Sequence, residues 1–449
     1  MNRAVLSLFL SRLFADRSVW ALPVAAFAVV TALTLGVAGG VHFFFTLQLP
    51  EDGVAGIYRM LSGFALVLLL FPLTSLAGSA ARLLARRRDE RLSSLRLLGA
   101  SSATITGLAV AEATVLAAAG AVVGLAGWAV LVPLIALLPF AGGQVGMASQ
   151  WIGVPLTLLV LAGVVLLGAL SALLGLRRVA VTPLGVRTRQ RPRRVVWVRV
   201  LVAVGVLVAA QVAATVMGAA QEVAVAVALA IAAMAAPMLA VHAIGPWVLG
   251  VTARRRVRRA KSAERLVAAR LVLEDPRLAW RQVGGVALTV YIGTVGAAGF
   301  GMANAFQADG AALTASERHL TADLGTGVLV TMVVSFLLAA CSVAISQAAQ
   351  LLDRADLHSG LVMAGMDVHT VHAMRRRAVM SALGTVLVFS LAAALISAAP
   401  VIGAAAVFAP VSLVTAGACL VAGVLLVRGG VEVTRPALRR SLTAHGLAA

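Results

Sequence analysis

The chain has 449 residues, 61% of them hydrophobic and 12% charged, with a mean hydropathy of +1.01 and a formal net charge of +20. That composition lies outside the range of soluble globular domains and indicates an all-α polytopic membrane protein. Cys341 and Cys419 both fall in apolar stretches, so neither a disulfide framework nor a metal cluster follows from them.

Residues 1–20 alternate apolar and basic positions at helical spacing and lack a small-residue cleavage site, which predicts an interfacial amphipathic helix and not a removed signal peptide. Stretches near or above the ~20 residues that cross a hydrocarbon layer then recur. They lie near 21–44, 57–80, 104–138, 153–176, 199–219, 224–250, 283–306, 322–349, 379–399 and 406–428. The fifth and sixth are separated only by Gln221 and Glu222. Arginine placement tests this count of ten, because cytoplasmic loops carry the Lys/Arg excess. With the N-terminus inside, 35 of the 37 basic residues fall on inside segments, and only Arg59 and Arg318 lie outside. Both termini are then cytoplasmic, and the outside loops are short, the longest near 307–321. The positive charge orients the chain and grips anionic lipid. It sits beside spans without interleaved aromatic residues, which argues against nucleic acid as a partner.

Between the second and third spans stands the segment from Arg86 to Gly99, RRRDERLSSLRLLG. Leu92, Leu95 and Leu98 recur on one side, and Arg86, Arg87, Arg88, Asp89 and Glu90 gather ahead of them. The pattern predicts a short amphipathic helix on the inner surface, ended by Gly99, with Ser101 or Ser102 capping the next span. A weaker copy occupies the equivalent place in the second half. There Asp353, Arg354, Asp356 and His358 accompany an apolar stripe of Leu357, Leu361 and Ala364, and Gly365 is the stop. A shift of 266 aligns Arg88 with Arg354, Ser93 with Ser359 and Gly99 with Gly365. Each half contains four spans and begins inside, so the repeat is parallel. A stiff helix ending at a glycine elbow offers a docking element for another protein, and its duplication favours docking over a simple charged anchor.

Glu112 lies about two turns into the third span. An intramembrane carboxylate is costly enough to mark function, but at that depth it also reaches the headgroups or pairs with an arginine such as Arg82, and this structural role is favoured. Gly120 and Gly124, at GxxxG spacing, suit close helix packing more than a ligand surface. His369, His372 and Asp367 can be drawn as a metal site, but three such residues beside an arginine run commonly sit on a solvated surface. The only lysine is Lys261, which follows Ala260, so no phosphate-binding loop with a lysine after glycine exists. No Ser/His/Asp set sits on a recognisable elbow. The chain is not expected to be an enzyme or to hold a cofactor.

RRRDERLSSLRLLGAS with Glu112 and the glycine-rich span after it, together with RRVAVTPLGVRTR at 177–189, resembles the FtsX-like permease family of ABC transporters. The resemblance implies a ten-span, two-repeat permease similar to bacitracin-type peptide resistance permeases but without a large extracellular domain. Its parts are the helix 1–20, a first four-span repeat 21–178, basic linkers with a two-span hairpin 179–269, a second repeat 270–430 and a tail 431–449. The resemblance further implies that Arg86, Arg87, Arg88, Glu90, Leu92, Leu95 and Gly99, and more weakly Arg354, Asp356, Leu361 and Gly365, seat in grooves of two ABC-type ATPase subunits. Those subunits bind ATP and Mg. The resemblance also implies that this chain, in the plasma membrane, moves a hydrophobic or amphipathic substrate such as a peptide antibiotic, lipid or drug, by export. A regulatory subunit that passes ATPase state to a sensor or envelope partner is the alternative, and an ATP-independent lipid scramblase a third.

Overall fold

A computed structural model describes residues 17–48, 52–97, 101–180, 205, 223–308, 315–353, 360, 363 and 365–432. Among them seven helices are long and apolar enough to cross a membrane, which makes the chain a multi-pass, all-α membrane protein. Helical structure is the solution that satisfies every backbone N–H and C=O within one segment where no water is at hand. The chain divides into two compact units.

Unit 1 begins with α1 (Arg17–Thr46) and α2 (Asp52–Leu97). It continues with α3 (Ser102–Ala136), a two-stranded hairpin, a short 3-10 turn (Ala148–Gln150) and α4 (Gly153–Ala180). Val24, Phe27, Thr31 and Leu35 recur every three or four residues and form the buried stripe of α1. That stripe meets α3 at its two spaced glycines. A Cβ at Gly120 would lie 2.5 Å from Phe27 Cβ and 2.9 Å from the Val24 carbonyl, and one at Gly124 would lie 2.5 Å from the Ala28 carbonyl. The GxxxG spacing therefore serves backbone-to-backbone contact between the first and third spans. Ser101 is the cap of α3: its Oγ accepts the Thr104 amide at 3.2 Å. The α3–α4 connection contains the pair β1 (Pro139–Phe140) and β2 (Gly143–Gln144), joined through Ala141 and Gly142, both at positive φ. Two central residues with φ > 0 give a tight hairpin turn whose twist matches the strands. By sequence this stretch reads only as a short outside loop.

Unit 2 contains α5 (Val223–Arg258), α6 (Ala263–Glu274), α7 (Pro276–Ala308) and α8 (Ala315–Asp353) up to Ala340; the turns of α8 from Cys341 onward cluster with unit 1. It ends with α9 (Val368–Ser397), α10 (Ala399–Phe408) and α11 (Pro410–Glu432). α5 starts directly after Gln221 and Glu222, whereas the span expected at 199–219 lies outside the described residues, apart from Gly205. Asp275 and Pro276 start α7: Asp275 Oδ1 accepts the amides of Arg277 at 3.1 Å and Leu278 at 3.0 Å, and proline at the first helical position loses no bond. The stretch expected as one span at 406–428 is broken at Ala409, since Pro410 has no amide to continue α10 and pushes its predecessor out of the helical region. Gly301 of α7 leaves room for that break, its absent Cβ standing 2.7 Å from Ala409 Cβ.

Candidate functional site

The residues expected to form the first docking element, Arg86, Arg87, Arg88, Glu90, Leu92 and Leu95, are all part of α2, whose helix runs without interruption from Asp52 to Leu97. They do not form a separate helix set against the span. The composition explains this: after Pro72 the stretch to Leu97 holds only one glycine, Gly78, and no further proline, and Arg, Leu, Ala and Glu propagate helix well. Arg86 and Glu90 stand four residues apart, a spacing that supports the helix further. At 1.5 Å per residue α2 is about 69 Å long, more than twice the hydrocarbon thickness. Gly99 lies outside the described residues, and so do Arg354, Asp356 and Leu361.

Gly365 adopts φ +90, the left-handed conformation expected of an elbow, and α9 begins at Val368. The ties made by the first turns of α9 were not legible in sequence. His372 Nε2 lies 3.1 Å from Glu432 Oε2, and Arg376 Nη1 donates to Glu432 Oε1 at 3.3 Å. Arg377 Nη1 is 2.8 Å from Glu264 Oε2, and Arg256 Nη1 donates to the Ser381 carbonyl at 2.8 Å. The base of α9 is thereby tied to α11, α6 and α5. Each exposed ion pair is worth only about 0–1 kcal/mol, so the arrangement works by number. Partial burial lowers the pKa of Arg256. His372 is buried against Glu432 while His369 and Asp367 are exposed, which separates the three residues that could be drawn as a metal site. The same contacts bring the C-terminal ends of α5 and α11 together with the N-terminal ends of α6 and α9.

In unit 1, four serines meet. Ser79 Oγ lies 3.2 Å from Ser342 Oγ and accepts from Ser346 Oγ at 3.1 Å, and Ser75 Oγ lies 3.5 Å from Ser342 Oγ. Ser79 also donates to the Ser75 carbonyl at 2.9 Å. Ser75 and Ser79 belong to α2 and Ser342 and Ser346 to α8, the helices expected from the sequence as the second spans of its two repeats. The sequences are Ser75-Leu-Ala-Gly-Ser79 and Ser342-Val-Ala-Ile-Ser346, so a shift of 267 superimposes Ser75 on Ser342 and Ser79 on Ser346. Each serine thus contacts its own equivalent, the signature of a self-complementary interface. Small residues four apart let two helices approach, and hydroxyls supply the bonds between them. The repeated S-x-A-x-S was the available sequence signal. A shift of 266, set by the charged segments, misses it by one residue.

Glu112 is buried at 7% exposure, about 15 Å along the axis from the start of α3. The side chain of Arg82, its suggested partner, lies outside what is described. No protein-family model, curated protein or solved structure matches the chain.

Proposed function

We propose that this chain is the membrane-spanning subunit of an ABC-type transporter, with ten spans in two four-span repeats joined by a hairpin, both termini cytoplasmic, in the plasma membrane. Separate ATPase subunits, two per permease, bind ATP and Mg and dock on the charged segments. Hydrolysis drives export of a hydrophobic or amphipathic molecule. The observation that carries the reading is the serine crossing: the two helices that lead into the two charged segments are joined to each other by hydrogen bonds between repeat-related residues. α2 extends about 27 Å beyond Ser79 and the described part of α8 about 10 Å beyond Ser346, so a push at either inner end acts on one shared point.

The test is purification of the full-length chain from its native membrane, followed by ATPase assay. An ATP-binding subunit copurifies, and Arg87→Ala, Arg88→Ala and Leu95→Ala together abolish permease-stimulated hydrolysis while the permease stays folded. Unchanged hydrolysis in that variant overturns the docking assignment. Stimulated hydrolysis without movement of any labelled lipid or peptide overturns export in favour of signalling.

A further inference from the structure

We propose that the inner ends of α5 and α6 form a binding surface for the phosphate groups of anionic lipids. Arg254, Arg255 and Arg258 on the last turns of α5 and Arg259 just after it are exposed, as are Arg265 and Arg270 on α6. None of these six has an ion-pair partner among the described residues. Arg254 with Arg258, and Arg255 with Arg259, are like charges four residues apart on a helix, which repel unless an anion lies across them. Arg256, between them, is the exception, turned inward to the Ser381 carbonyl. The contrast with α9 is direct: Arg376 and Arg377 there are matched to Glu432 and Glu264.

Two of the three nearby carboxylates are committed elsewhere, and the third, Glu274, is the last residue of α6. Glu264 holds Arg377, and Asp275 caps α7. The frame is rigid, because Ala268, Ala269 and Val272 bury the opposite face of α6 and Ser262 Oγ accepts the Arg265 amide at 3.3 Å. Leu266 is exposed among the cations, an arrangement suited to the headgroup layer, where apolar side chains and arginine stems sit under charged heads. Position selects lipid over other polyanions. The apolar helix α7 begins at Pro276, directly after α6, which holds this surface at bilayer level. Residues 251–279 contain no aromatic side chain on which a nucleobase could stack. Arginine forks suit phosphate oxygens.

The proposal needs no ATPase and is tested without one. Full-length protein is placed in nanodiscs of phosphatidylcholine alone or with about a quarter phosphatidylglycerol, and retained lipid and the heat-unfolding midpoint are measured. Wild-type protein enriches phosphatidylglycerol over bulk and unfolds at higher temperature with it. R254Q/R255Q/R258Q/R259Q reduces the enrichment about fivefold or more, following the usual strength of a cation at an anionic leaflet. The charge-keeping R254K/R255K/R258K/R259K variant retains most of it, and salt near 1 M removes it by screening. R265Q/R270Q, on the rigid α6, gives a smaller loss and serves if the quadruple variant does not fold. The proposal is overturned if wild-type protein shows no enrichment, if the glutamine variants enrich like wild type, or if pyrophosphate or an oligonucleotide in pure phosphatidylcholine gives the same thermal shift.

Discussion

The stretches of chain that follow the serine motif on α2 and on α8 carry their positive charge differently. Beyond Ser79, α2 continues as an unbroken helix to Leu97, and its arginines stand on the arm itself. Beyond Ser346, α8 is described as far as Asp353, Gly365 takes a left-handed φ of +90, and the three consecutive arginines Arg375 to Arg377 come after that glycine. There Arg376 and Arg377 face carboxylates of α11 and α6. A cationic cluster before the turn is carried on the arm; the same cluster after the turn is consumed in fixing the next helix. The unequal charge of the two copies is thus a division between a long rod and an anchored elbow.

That contrast can be broken most sharply at the rod. Ala85→Pro in the helix interior costs about 3 kcal/mol of local helix and kinks it. If α2 transmits as a rod, stimulated ATP hydrolysis falls at least tenfold while Ser79 and the bundle above remain folded by circular dichroism. Hydrolysis at the wild-type rate ends the rod model. The next effect lies in how each half is packed within itself. Gly120 faces backbone and Cβ of α1, which cannot yield, whereas Gly293 faces the flexible end of Met332, its missing Cβ 2.5 Å from the Met332 sulfur. Gly120→Ala is expected to destabilise by about 2–3 kcal/mol and Gly293→Ala by under about 1 kcal/mol, read as the difference in denaturant midpoint of the purified protein. Equal losses remove the distinction between the halves.

The anchored elbow is probed by Glu432→Gln, which withdraws charge from both His372 and Arg376. A loss of about 1–2 kcal/mol is expected, with faster amide exchange confined to the first turns of α9. Exchange that quickens equally in α3 contradicts a local tie. The smallest effect belongs to the crossing that both arms share. Ser79→Ala and Ser346→Ala each cost little, and their double-mutant coupling should be about 0.6 kcal/mol, the mean for hydrogen bonds between membrane helices. A coupling of zero means that the hydroxyls pack without bonding.

Much of the frame was legible because the bilayer imposes it. Apolar runs of span length had to become helices, so α1, α3, α4, α7, α8 and α9 fall close to their expected positions. Gly120, Gly124, Gly365 and the Ser101 cap were readable as local rules of close packing, left-handed φ and hydrogen bonding. The extent of α2 escapes a periodicity argument because amphipathic spacing marks a face, not a boundary; with no helix breaker before Gly99, the span simply continues. The break at Ala409 is masked by the hydropathy of its flanks, although Pro410 announces it.

Sequence alone determined that the chain spans a membrane many times as helices, and it carries a charged segment after each of the two serine motifs. These features arise from the cost of burying backbone amides and charges in hydrocarbon, which acts residue by residue. Tertiary structure decided which charges are spent on partners within the chain. Nothing local to His372, Arg376 or Arg377 names Glu432 or Glu264 as partner, and nothing local to Ser79 names Ser342 and Ser346, because those contacts join residues 56 to 267 positions apart and exist only once whole helices have chosen their neighbours.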